Sequence, residues 1–174
     1  MVNQASQPFG MGDPAEKEKV KAILSTVCDP EIPVLSVEDL GVIRGIEVSG
    51  NQVSIQLTPT YSGCPAMDTI SDDIKSALKS AGYEPKIEMV LSPAWSTDWI
   101  SQDGRKKMEA YGIAPPLEPL PDKLALLHDQ KVVKCTRCGS KNTRLISQFG
   151  STACKALFQC DDCHEPFDYF KCLK

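Results

Sequence analysis

Two Cys-x-x-Cys pairs near the end of the chain, Cys135-x-x-Cys138 and Cys160-x-x-Cys163, stand 21 residues apart and constrain this segment more than any other feature. Each pair turns two sulfurs toward one point, and two such turns supply the four soft ligands of a tetrahedral site. The pattern predicts a β zinc ribbon over 131–174, with Cys135, Cys138, Cys160 and Cys163 as ligands of a structural zinc ion. A unit of about 44 residues buries too little apolar surface to fold unaided, so metal binding becomes part of its folding free energy. Short strands are expected at 143–148, 153–159 and 166–170. The protein would fill all four coordination positions, which leaves none open for hydrolysis. Iron, or a redox-active dithiol, is the competing use of the same sulfurs.

Eight cysteines fit this reading better than disulfides do, provided the chain works in a reducing compartment. No apolar run approaches a membrane span, and the first residues carry neither a basic start nor an apolar stretch resembling an export signal. A cytoplasmic protein with no membrane association is therefore expected. The 174 residues carry a net charge of -4, divided unevenly. From Lys131 onward there are 8 basic and 4 acidic residues. Four thiolates around one divalent zinc would halve that excess, and the tail then no longer reads as a nucleic-acid binder.

Four prolines within 115–121 mark a boundary. The expected organisation is an α+β domain over 13–112, a proline-rich linker over 113–130 and the ribbon over 131–174. In the first domain, Asp13, Pro14 and Glu16 begin a helix whose buried face is Val20, Ile23, Leu24 and Val27, stopping near Cys28-Asp29-Pro30. Branched runs at 42–48 and 52–58 flank Ser49-Gly50-Asn51 as a hairpin. Met67, Ile70, Ile74, Ala77, Leu78 and Ala81 form one helical face, and Ile87, Met89 and Leu91 alternate as a third strand. A last helix, broken at Asp103-Gly104, runs to about Tyr111. The fold class is thus α+β, a small three-stranded sheet with helices followed by the ribbon.

Cys64 lies between Gly63 and a proline that opens a helix. Free amides and the helix dipole there should favour the thiolate, the form that binds soft metals. Thr60 and Ser62 add hydroxyls to the loop, and a plain packing role is the alternative. Cys64-Pro65-Ala66-Met67 lacks the second cysteine of a redox motif, and His128 and His164 are poorly placed as a base. Asp29, Glu31, Glu38 and Asp39 either end the first helix as solvated charges or provide oxygen ligation or a hydrogen-bonded wall beside Cys64. Trp95 and Trp99 read as core or interface aromatics. Cys154 and Cys172 read as small buried hydrophobes unless one lies beside a metal, and Cys28 has no assigned role.

Asp29-Pro30-Glu31-Ile32-Pro33, Glu38-Asp39-Leu40-Gly41 and Thr58-Pro59-Thr60-Tyr61-Ser62-Gly63-Cys64-Pro65 resemble the domain of iron-sulfur cluster assembly factors of the SufT type. Ser92 to Ile100 and Tyr111 to Pro116 fit it too. Joined to a ribbon containing Phe149-Gly150-Ser151-Thr152 and Glu165-Pro166-Phe167-Asp168-Tyr169-Phe170, the chain resembles the PaaD (PaaJ) family, which accompanies the phenylacetyl-CoA epoxidase system. The resemblance implies an accessory role in aerobic phenylacetate breakdown, where other subunits carry a diiron oxygenase and an iron-sulfur reductase. It places the family's cysteine on Cys64 and its acidic loop on Asp29 and Glu31. Neither paired Glu-x-x-His motifs nor a glycine-rich nucleotide fingerprint is present, so a maturation subunit rather than an enzyme is expected. Iron or an iron-sulfur cluster would bind transiently at Cys64, Asp29, Glu31 and Thr60, destined for the other subunits and especially the reductase. A structural subunit bridging oxygenase and reductase is the alternative, and a homodimer stays open.

Overall fold

The computed structural model describes residues 14–117 and 133–171. Helix α1 spans Pro14–Leu24 and buries Val20 and Leu24; its expected cap, Asp13, lies outside the described residues. The chain then folds back on itself, Val37 N–H donating to Val27 O and Asp29 N–H to Leu35 O at 2.9 Å each. Strands β1 (Ile43–Ser49) and β2 (Gln52–Leu57) pair antiparallel through a turn in which Gly50 adopts φ +62°. Val53, Ile55 and Leu57 face the core while Ser54 and Gln56 stay partly exposed, which fixes the register.

Helix α2 (Ala66–Ser80) buries Met67, Ile70, Ile74 and Leu78 and carries the chain across to β3 (Glu84–Met89), which pairs parallel to β2 with Ile55 opposite Ile87. The third strand stops short of Leu91, which is exposed. Helix α3 (Gln102–Tyr111) runs unbroken through Asp103-Gly104, contrary to the sequence expectation. Ser101 Oγ caps it by accepting from Gly104 N–H at 2.8 Å. A side chain at Gly104 would stand 3.1 Å from both Asp39 Cβ and the Asp39 carbonyl, so the glycine serves close packing rather than a break.

The second sheet has the order β4-β7-β6-β5, with β4 at Ile113–Ala114, β5 at Thr143–Ser147, β6 at Lys155–Cys160 and β7 at Pro166–Phe170. Residues 113 and 114, expected to start the linker, instead pair parallel to β7, Ile113 opposite Asp168 and Ala114 opposite Tyr169. Residues 118–130 of the expected linker lie outside the described residues. Ala114, Val133, Phe158, Phe167 and Tyr169 pack a small core around Cys135 and Cys160. Cys154 and Phe170 point the other way and join the larger core of the first domain. The ribbon is therefore seated on that domain, and burying one phenylalanine side chain in this way is worth about 1.5–3 kcal/mol.

Candidate metal centres

Two turns of like geometry build the ribbon site. Cys135 N–H donates to Ser140 O at 2.8 Å and Cys160 N–H to Glu165 O at 3.0 Å, so each pair sits on a closed knuckle. The residue after each pair is left-handed: Gly139 at φ +75° and His164 at φ +62°. A non-glycine residue tolerates this conformation at some cost, and it marks His164 as a turn residue of the second knuckle. Asn142 Nδ2 donates to Asp162 Oδ1 at 2.8 Å, and Arg137 pairs with Glu165, tying the knuckles together. The four sulfurs lie within 4.8 Å of one another, with Cys135–Cys163 at 3.7 Å and Cys138–Cys160 at 3.6 Å. Tetrahedral coordination at a zinc–sulfur distance of about 2.3 Å demands sulfur–sulfur edges of about 3.8 Å, so the donor set fits such an ion. The backbone N–H of Cys163, with that of Asp162 and the adjacent thiols, pulls Cys160 down to about 7. All four sulfurs face one point.

Cys64 occupies a different setting. Met67 N–H donates to Cys64 O at 3.3 Å as the chain enters α2, whose N-terminal turn has no side-chain cap and carries Asp68. The thiol is half-buried, and that burial raises its pKa above the ordinary thiol value, reversing the expectation of a resting thiolate. The Ala66 N–H and the Tyr61 hydroxyl donate toward the sulfur and oppose the rise; Glu31 and Asp29 add to it through their charge. Burial pushes Tyr61 up to about 12, with Cys64 and the nearby Glu31 and Cys154 adding to the rise. Tyr61 and Cys64 share this loop, and the carboxylates of Asp29 and Glu31 act on the thiol through their charge from the turn before β1.

Asp29 spends one oxygen on its own turn, Oδ1 accepting from Glu31 N–H at 2.7 Å and Ile32 N–H at 2.8 Å. Burial nevertheless holds its pKa above the usual carboxylate range. Glu31 is free of that duty and meets the ribbon: Cys154 Sγ donates to Glu31 Oε2 at 3.2 Å, and Lys155 Nζ donates to Glu31 O at 3.0 Å. Thr60 is half-buried in the same loop. Thr58 Oγ1, where the loop leaves β2, is buried and has no hydrogen-bond partner among the described residues. Tyr61 and Lys155 are the residues that sequence reading missed, whereas Cys154 is buried in the apolar core as expected and in addition meets Glu31. Tyr61 looked like a loop residue, and nothing in the spacing of Cys154 or Lys155 says which domain they face.

Residues 119–171 match the PaaD zinc beta ribbon domain, and residues 17–90 match the iron-sulfur cluster assembly protein family. The chain is 46% identical over 161 residues to an Escherichia coli (strain K12) protein named as the putative D component of 1,2-phenylacetyl-CoA epoxidase, covering 92% of this chain and 95% of that one. This chain belongs to the PaaD family. Its first half is also 37% identical over 90 residues to an "Fe-S protein maturation auxiliary factor" of Porphyromonas gingivalis (strain ATCC BAA-308 / W83), covering 50% of this chain and 85% of that protein. The solved DUF59 domain from Bacillus anthracis superposes with a TM-score of 0.52 at 27% identity, covering 56% of this chain and 95% of that one.

Not every acidic residue of this PaaD-family chain reaches Cys64. Asp39 turns instead to a structural network, accepting from Lys107 Nζ at 2.6 Å, Ser101 Oγ at 2.9 Å and Ser36 Oγ at 3.0 Å. That network ties the loop before β1 to α3 and its N-cap. Glu38 lines a separate surface cleft with Lys17, Lys21 and Arg44. Trp95 is buried and donates from Nε1 to Leu40 O at 3.0 Å, while Trp99 stacks under Arg44 at 3.6 Å. Cys28 is exposed; Cys172 and His128 lie outside the described residues.

Proposed function

We propose that this chain is a non-catalytic accessory factor of a phenylacetyl-CoA epoxidase system, one that holds iron or an iron-sulfur cluster briefly on Cys64 and passes it to a metal-bearing subunit. The observation that carries the reading is the company of Cys64: a half-buried thiol at a helix start, with Tyr61, Asp29 and Glu31 around it. Among the described residues the chain has a single histidine, His164, in the ribbon knuckle, so a thiol and carboxylates face one another without an imidazole base. Such a set suits holding a metal better than nucleophilic attack. The names of the relatives, an epoxidase component and a maturation factor, support the same direction. The iron-sulfur reductase is the favoured recipient, because a protein-bound cluster needs assembly, and the cytoplasm, being reducing, suits free thiols. No helix among the described residues is long and apolar enough to cross a membrane.

In this reading the four ribbon cysteines hold zinc, which neutralises four crowded thiolates and supplies folding free energy. Cys135, Cys138, Cys160 and Cys163 fill every position, so the centre serves shape and not turnover. The test is co-expression of the Cys64→Ser variant with the oxygenase and reductase subunits. A fall in client iron and sulfide, with the variant's own zinc retained, is expected; equal client loading overturns the reading.

A second reading, a structural bridge between oxygenase and reductase, draws on Leu145, Ile146 and Phe149, which are 47%, 49% and 64% exposed on or beside the ribbon's edge strand. Replacing these three with polar residues would abolish copurification in that case, while Cys64→Ser would leave epoxidase activity intact.

A further inference from the structure

Arg44 is the extra residue of a β-bulge: Ile43 pairs with Leu57 and Gly45 with Gln56, which leaves nothing opposite the residue between them. A bulge breaks the pleat and re-aims a side chain. Here the guanidinium comes to rest on the Trp99 ring, its Cζ 3.6 Å from the ring centroid. Gly41 makes the approach possible, because at φ +65° a side chain in its place would collide with the Trp99 carbonyl. A guanidinium held by its face keeps its N–H edge for bidentate donation to an oxyanion, and holding it beforehand lowers the cost of ordering it on binding. Two more cations face the same cleft. Lys17 and Lys21 lie one turn apart on α1 and line it together with Arg44, Glu38, Ile43 and Ile46. Lys21 already pairs with Glu18 at 2.6 Å in an exposed contact, and Glu38 stands within its electrostatic reach. Among the described residues neither Lys17 nor Arg44 has an ion-pair partner.

We propose that this cleft binds a phosphate monoester carried by a small molecule, with Arg44 as the bidentate donor and Lys17 as the second cation. Three cations against one carboxylate give the lining a net charge of +2. A phosphate monoester carries about -1.5 to -2 at pH 7 and matches it, whereas a carboxylate carries a single charge. Glu38, on the Lys21 side, repels the anion and steers it toward Lys17 and Arg44. Ile43 and Ile46 are half-buried and give the rest of the ligand an apolar floor. The cleft volume is about 280 Å³, at the lower edge of the about 300–1,000 Å³ usual for small-molecule sites, so the ligand is compact. None of these residues belongs to the Cys64 loop, and the inference stands independently of the reading of that thiol.

The test titrates the full-length, zinc-loaded protein with three probes at fixed ionic strength: inorganic phosphate, phenyl phosphate and benzoate. Binding is read from the shift of the Trp99 indole N–H signal, and circular dichroism with retained zinc reports the fold of each variant. Phenyl phosphate is expected to reach half-saturation by about 1 mM. Inorganic phosphate, without the apolar body, should bind about tenfold more weakly, and benzoate, with the same ring and one charge, weaker by at least as much. Arg44→Lys keeps the charge and loses the fork, so phenyl phosphate should weaken about tenfold. Arg44→Gln should abolish the response. Lys79→Gln removes one exposed charge on α2, away from the cleft lining, and should bind as wild type does. Equal losses in Arg44→Gln and Lys79→Gln would reduce the effect to overall charge and overturn the site. Undiminished binding by Arg44→Lys, benzoate as tight as phenyl phosphate, or no half-saturation by about 1 mM would overturn it as well. Capture by phosphatidylglycerol vesicles that depends on Arg44, without phenyl phosphate binding, would transfer the anion to a membrane surface and overturn the small-molecule site.

Discussion

Trp95 and Phe170 meet nearly at right angles, their ring centroids 6.1 Å and their planes 77° apart. One ring comes from the loop after β3 and the other from the last residue of β7, so this contact joins the two domains through their apolar interiors. Both rings are buried, and Trp95 is further held by its hydrogen bond to Leu40 O. The ribbon is thereby packed onto the first domain and not a tethered appendage.

Phe170→Ala should therefore do more than loosen the ribbon. Truncating a buried phenylalanine costs about 3–5 kcal/mol, and here the cavity opens between the domains. Thermal unfolding of the zinc-loaded protein should begin earlier, and limited proteolysis should cut between the domains before either is degraded. Phe158→Ala, which empties the ribbon's own core, should instead release zinc first. Identical unfolding and cleavage patterns for the two variants would contradict the separation of the cores.

Asp39 gives a pH-dependent prediction. Burial alone would raise its pKa, but Lys107, Ser101 and Ser36 outweigh that and hold it below the usual carboxylate range. A carboxylate whose folded pKa is depressed contributes stability that is fully present above its unfolded value of about 3.9. That contribution is lost as pH falls through the lower folded value. Asp39→Asn should be less stable than wild type at pH 7, by about 1–3 kcal/mol for the charged hydrogen bonds removed. The gap should narrow as the pH drops below about 4. Comparing the pair isolates Asp39 from Asp29 and Glu38, whose burial shifts them the opposite way. Denaturant midpoints across acid pH check it, and a constant gap would exclude the assignment.

The strands, the helices and both cysteine knuckles were legible because each rests on local chemistry: alternation in Val53, Ile55 and Leu57, helical spacing from Met67 to Leu78, and paired Cys-x-x-Cys turns. The unbroken start of α3 was not, since glycine lowers helix propensity and only the approach of Asp39 explains why it stands there. Strand β4 was hidden by the prolines that follow Ala114 and by the long stretch of chain between Ile113 and its partner Asp168 in β7. At the candidate site, Cys64, Asp29 and Glu31 could be named from motifs, but their electrostatics could not. A helix start suggested a thiolate, and the burial that decides otherwise comes from packing between distant segments. The contact between Cys154 and Glu31 was invisible for the same reason, the two being 123 residues apart in sequence.

That resting thiol makes a further prediction about reactivity. Alkylating agents attack the thiolate, so a sulfur whose pKa is raised by burial reacts slowly at neutral pH and faster as the pH climbs. Cys28, exposed at the surface, supplies the internal reference, and peptide mapping by mass spectrometry follows both in one sample. Metal-free Cys64 should lag Cys28 at pH 7. The neighbours should then act with opposite signs. Tyr61→Phe removes a donor that favours the thiolate, so labelling of Cys64 should slow further. Glu31→Gln removes a negative charge that disfavours it, so labelling should quicken, although the same change also takes an acceptor from Cys154. Equal rates in all three proteins would mean that access alone controls the sulfur. Opposite shifts would mean that the field of the loop does.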